Sequence, residues 1–172
     1  MGDTGLWIAG LTGATAVLAS WVTSRGHTRA ARLQAEISAS AQEETRQREI
    51  RRAAYLAFLE QAHLMGMEYR RTPSILSLDD QEQRRTRLDE HRARLREVFG
   101  PFRHTRQIAT VHARSSSVIE ACDRVFTASR SLYMALGDIA EGAAGTSAFH
   151  TALDQYWTAV DELGEAVRFE ES

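Results

Sequence analysis

Residues 108–136 read IATVHARSSSVIEACDRVFTASRSLYMAL, and Ile108, Val111, Ser115, Val118, Cys122, Val125, Ser129, Leu132 and Leu136 recur at alternating spacings of three and four. That alternation lines one face of a helix with 3.6 residues per turn. Ile119, Phe126 and Tyr133 broaden the stripe, so a helix is predicted from about Phe102 to Leu136. Downstream, Gly137 to Ser147 reads as a loop, and Phe149, Leu153, Tyr156, Val160, Leu163 and Val167, joined by Trp157, repeat the pattern. Upstream, Leu88, Leu95, Val98 and Phe99 make a sparser stripe. It belongs to a predicted helix from Leu78 to Phe99, opened by the capping-box-like Ser77 and Asp80 and closed by Gly100-Pro101. Before Thr72-Pro73-Ser74, a further stripe runs through Ile50, Ala54, Ala57 and Met65, widened by Tyr55, Phe58, Leu59 and Ala62. Four amphipathic helices with short connections predict an antiparallel up-and-down four-helix bundle over residues 50–172.

The composition agrees with an all-α chain. Of 172 residues only two are proline, Pro73 and Pro101, and β-branched residues never form the alternating runs that strands need. All 21 basic residues are arginine, the coding bias of a high-GC genome such as an actinomycete's. The net charge of −2 conceals an asymmetry: residues 24–130 carry 20 Arg against 14 acids, whereas 131–172 carry one Arg against eight. The simplest expectation is that the two halves attract each other within the chain. A lone Cys122 excludes an intramolecular disulfide and a CxxC site.

The N-terminus is predicted to be a transmembrane helix. From Thr4 to Ser24 no side chain ionises, and at about 1.5 Å per residue those 21 residues reach about 31 Å, the thickness of a bilayer's hydrocarbon core. Trp7 and Trp21 stand near its ends as interfacial anchors, and Arg25, Arg29 and Arg32 follow. Asp3 is the only charge before the span, so the positive-inside rule places the N-terminus outside and the remaining chain in the cytoplasm, a single-pass inner-membrane topology. Ala14-Thr15-Ala16 has the look of a signal-peptidase site, but a signal peptide carries its basic residues on the other flank. Gly5, Ala9 and Gly13, and likewise Thr12, Ala16 and Ser20, are spaced by four, stripes that let helix backbones approach and self-associate. The expected layout is an anchor over 1–25, a polar helical stalk over 26–49, and the bundle over 50–172.

No constellation carries catalysis. Glu60 and His63 have the Glu-x-x-His spacing of di-iron bundles, but a second such pair is missing from the sequence, and neither a metal nor another cofactor is expected. Ser115-Ser116-Ser117 lacks the flanking glycines and the preceding strand of a nucleophile elbow. Arg84, Arg85, Arg87, Arg92, Arg94 and Arg96 are balanced by Asp79, Asp80, Glu82, Asp89, Glu90 and Glu97, as on a solvated ion-pair face. Between Glu97 and Glu120 no acid occurs, so Arg103, Arg106 and Arg114, with His104 and His112, form the candidate anionic docking surface. The absence of interleaved aromatic residues argues against direct nucleic-acid binding there.

The Arg25–Arg32 flank, the Gln/Glu/Arg-rich stalk and the phrase Arg48-Glu49-Ile50-Arg51-Arg52-Ala53-Ala54-Tyr55-Leu56-Ala57-Phe58-Leu59 resemble small actinomycete single-pass membrane proteins grouped with KilB-type plasmid-transfer accessory proteins. The resemblance implies a non-enzymatic role at the membrane in the spread of mobile DNA. The expected function is a membrane-anchored scaffold or adaptor that forms homo-oligomers and recruits a cytoplasmic or membrane protein partner. The alternative is a membrane sensor or effector, in phage defence or stress signalling, with a ligand-binding bundle.

Overall fold

The computed structural model describes the backbone of residues 3–171 and the side chains of residues 33–170. In chain order the elements are α1 (Asp3–Tyr69), the short α2 (Thr72–Leu76), α3 (Gln81–His112), α4 (Ser116–Ala140) and α5 (Thr146–Glu171), with no strand among the described residues. The chain divides into two compact units, Met1–Arg48 and Glu49–Ser172. Among the described residues no helix is long and apolar enough to cross a membrane. The predicted span falls on residues whose side chains lie outside the described part.

Within the first unit every side chain from Leu33 to Arg48 is exposed. Its helix is therefore held by local terms: good helix formers, a Gln47–Glu43 hydrogen bond of 2.8 Å, and Arg48 reaching Glu44 one turn away.

The second unit is an up-and-down four-helix bundle, and its side-chain bonds define the directions. On α1 and α5, Tyr55 meets Glu170 while Ala62 meets Tyr156, so the numbering runs oppositely. On α4 and α5, Ser115 meets Glu170 and Arg124 meets Glu162. Arg106 meets Asp123 and Arg96 meets Tyr133, which makes α3 and α4 antiparallel too. The core runs along the axis through Tyr55, Phe58, Ala62, Met65 and Tyr69 of α1, Leu88, Leu95 and Phe102 of α3, Val118 to Leu136 of α4, and Phe149 to Val167 of α5. Buried hydroxyls find backbone acceptors: Tyr69 donates to the Ser129 carbonyl at 2.8 Å and Tyr156 to the Ala62 carbonyl at 2.6 Å.

Three boundaries differ from expectation, two of them by a turn or less: α3 opens at Gln81 behind Asp80 rather than at Leu78 behind Ser77, and α4 runs on to Ala140, past the predicted loop start at Gly137. The second long helix does not close at Gly100-Pro101 but continues through Pro101 to His112, and the next begins at Ser116 rather than near Phe102. Aromatic packing is the reason. Phe99 and Phe102, one turn apart, both reach Phe126 of α4, with ring centroids at 5.5 and 6.1 Å, and Phe102 also packs on Phe58 of α1 at 5.4 Å. Only a continuous helix places both rings inward, and that burial outweighs the one backbone hydrogen bond proline cannot donate. Ser115 accepts from the Val118 amide as the N-cap of α4. Accordingly Ile108 and Val111 leave the predicted seam, and Val111 is 79% exposed. The longer α3 gains Phe102 and Ala109 as core residues, so this helix covers the bundle more fully than its sequence stripe suggested.

Gly164 stands half-buried in the interior of α5, and outside its own helix nothing lies within 4 Å of the position a Cβ would take. Gly164→Ala should therefore raise unfolding stability by about 1 kcal/mol, the helix-propensity difference alone. Urea denaturation of the two proteins checks this.

Candidate interaction surfaces

One end of the bundle is closed by a carboxylate. Glu170, in the last turn of α5, accepts from Tyr55 Oη at 2.5 Å, from Ser115 Oγ at 2.5 Å, and from the Ser115 and Arg114 amides at 2.9 and 3.2 Å. It thereby ties α5 to α1 and to the start of α4, where a negative charge also suits the helix dipole. Burial acts to raise its pKa, but the hydrogen bonds from Ser115, Tyr55 and the two amides outweigh it and hold the carboxyl below its ordinary value. Tyr55 responds oppositely: burial, then its bond to Glu170, raises the phenol far above its usual range.

At the other end, α2 begins with Pro73 in its first turn and buries Thr72, whose Oγ1 lies 3.1 Å from Nε2 of the buried His91. Burial pushes the His91 pKa down and favours the neutral ring. His91 thus occupies a core position on α3 that the sequence pattern left unassigned. A pocket of about 390 Å³ adjoins it, lined by Arg71, Ser74, Ile75, Leu78, Arg87, Glu90 and Arg94. Arg71 and Arg87 are already paired, with Glu68 and Glu90, at 2.9 and 3.2 Å. Cys122 is fully buried on the α4 seam, and burial pushes its thiol up to about 12, so it is an unreactive packing group.

The sequence-predicted docking arginines receive different surroundings. Arg103 is exposed on α3, and Arg114 is exposed in the α3–α4 connection. Arg106 bonds to Asp123 on α4 and lays its guanidinium 4.5 Å from the Phe126 ring centroid. The acid-free run of sequence is thus not acid-free in space, because α4 supplies Asp123. Glu60 and His63 stay exposed on α1, and His63 Nδ1 lies 2.8 Å from the Leu59 carbonyl one turn back. Gly5, Ala9, Thr12, Gly13, Ala16 and Ser20, with Trp7, Trp21, Arg25, Arg29 and Arg32, fall where side chains are outside the described residues.

Two flanks of the bundle carry opposite charge. Along the α3–α4 side run Arg85, Arg92, Arg96 and Arg103, and the guanidinium of Arg92 stands 5.3 Å from the Tyr133 ring centroid. Between α4 and α5 lies an open groove of about 660 Å³, whose charged lining is Asp123, Arg124, Asp154 and Glu162. Arg124 pairs with Glu162 at 2.9 Å, an ion pair that joins α5 to α4.

These features define an all-helical up-and-down bundle with charged lateral faces. No protein-family model matches the chain, and neither the curated proteins nor the solved structures include a significant match.

Proposed function

We propose that the chain is a non-enzymatic, membrane-anchored scaffold that self-associates and recruits a cytoplasmic protein partner through its helical bundle, in the setting of plasmid transfer that its N-terminal pattern resembles. The observation that carries the reading is the uncharged stretch from Thr4 to Ser24 with Arg25, Arg29 and Arg32 directly after it. The bundle supports it with side chains suited to protein contact: Leu56, Leu64 and Met67 on α1 and Met134 on α4 are each about half exposed. Partner recruitment through such faces needs no reactive group.

The test is topology. Ser172→Cys in the full chain, treated in intact cells with a thiol reagent that cannot cross membranes, should stay unlabelled until the cells are permeabilised, and the protein should sediment with membranes. Labelling before permeabilisation would place the bundle outside and overturn the cytoplasmic-scaffold reading; recovery in the soluble fraction would overturn the anchor.

A further inference from the structure

The unspent charge on the bundle has a regular geometry. On α3, Arg85, Arg92, Arg96 and Arg103 are separated by seven, four and seven residues, which places them on one line along the helix. Arg92 and Arg96 both face Tyr133, so this line borders α4. On α5, Asp154, Asp161 and Glu165 are separated by seven and four residues and are all exposed. They lie opposite the helix face that buries Tyr156, Val160, Leu163 and Val167. At a rise of about 1.5 Å per residue both lines repeat at about 10.5 and about 6 Å. Because the arginine spacings are symmetric, the acidic line matches them in either helix direction: Arg85, Arg92 and Arg96 one way, Arg103, Arg96 and Arg92 the other.

Neither line is neutralised at home. Among the described residues, none of the four arginines has a carboxylate within ion-pairing distance, and none of the three acids has a basic partner. Arg92 Nε is in addition buried without a hydrogen-bond acceptor. Each line has few opposing charges on its own helix: Glu82 and Asp89 stand about one turn from Arg85, and Arg168 about one turn from Glu165. The two lines stand on different helices of the same bundle and cannot meet within one chain, whereas a second chain brings them together at matched spacing.

We infer that the α3 arginine line of one chain docks on the α5 acidic line of a second copy. The contact is heterologous, since each chain offers one donor face and one acceptor face, and it propagates into rows rather than closing as a two-fold dimer. On a membrane such rows concentrate bundles side by side. The inference deepens the scaffold reading by naming the surface through which it self-associates, and rests on that reading only for its biological use.

The experiment uses full-length chains in detergent, cross-linked by a bismaleimide between Arg103→Cys on one chain and Asp154→Cys or Glu165→Cys on another. Buried Cys122 does not compete. Cross-linking is expected at low salt and to fall steeply at high salt. Arg85→Glu with Arg96→Glu, or Asp154→Arg with Asp161→Arg, should each weaken self-association in sedimentation about tenfold or more, the sum of a few exposed ion pairs and the repulsion that replaces them. Mixing the two reversed proteins should restore association to the original level. Helical circular dichroism monitors folding, and if a double reversal unfolds, the single pair Arg96→Glu and Asp161→Arg is mixed in its place. Association that is insensitive to both reversals, or no restoration on mixing, overturns this contact while leaving the scaffold reading standing on the anchor. Chains that stay monomeric under all conditions overturn both.

Discussion

Gly66→Ala should destabilise the bundle by about 2 kcal/mol, although in an isolated helix the same change stabilises by about 1 kcal/mol. The sign is decided by Trp157. A Cβ on residue 66 would lie 2.5 Å from Trp157 Cζ2, 2.6 Å from Cη2 and 3.1 Å from Tyr156 Cε1. The indole is bracketed and has little room to yield: Arg70 stacks with its guanidinium carbon 4.6 Å from the ring centroid, and the His63 and Tyr156 rings meet it edge-on at 5.7 and 5.8 Å. Tyr156 is itself pinned through its bond to the Ala62 carbonyl. Overpacking of this kind costs about 1–3 kcal/mol and exceeds the propensity gain. In a Trp157→Leu background the two closest contacts are gone and only that to Tyr156 remains, so Gly66→Ala should then cost clearly less. Urea unfolding of the four proteins gives the coupling directly, and equal effects in both backgrounds would refute the argument.

Glu170→Ala should cost about 2 kcal/mol at neutral pH, because it leaves the Tyr55 and Ser115 hydroxyls and two backbone amides without their acceptor at a half-buried junction. The pH dependence follows from the direction of the shift. The folded carboxyl titrates below its unfolded value, so the unfolded chain binds the proton first as pH falls. The stabilisation is fully present above the unfolded carboxylate pKa and disappears as pH drops through the folded one. Urea midpoints of the native chain and Glu170→Gln should therefore differ clearly at pH 7 and converge in acid. A gap that stays constant across that range would show that Glu170 acts by shape alone. Ser115→Ala removes one of the four donors and is expected to lose a smaller share, about 1 kcal/mol, partly as a lost helix cap.

How far each property could be read in the linear chain depends on the range of the interaction that sets it. The spacings of three and four through Val118, Cys122, Val125, Ser129, Leu132 and Leu136, and through Phe149, Leu153, Tyr156, Val160, Leu163 and Val167, are periodic signals confined to one helix, and all of these residues are buried except the half-buried Leu153. All-α class, four long helices and the inert burial of Cys122 were legible for that reason. The Thr72-Pro73-Ser74 break was legible as well, though it carries a five-residue helix of its own.

Tertiary structure alone decided the rest. Gly100-Pro101 is a helix stop by local rules, and only Phe126 and Phe58, contributed by other helices, make continuation worthwhile. Glu170 gives no signal in its own neighbourhood, since the groups it binds lie 55 to 115 residues away. The same holds for Arg106, which looks unpaired in an acid-free run until α4 brings Asp123 across. The arginine line of α3 and the acidic line of α5 were present in the sequence as residues, but that they stand on separate helices with their charge unspent is a matter of packing. Local periodicity determines which face of a helix is apolar; which helix each face then meets is set by long-range burial, and so is the fate of every charge at its edge.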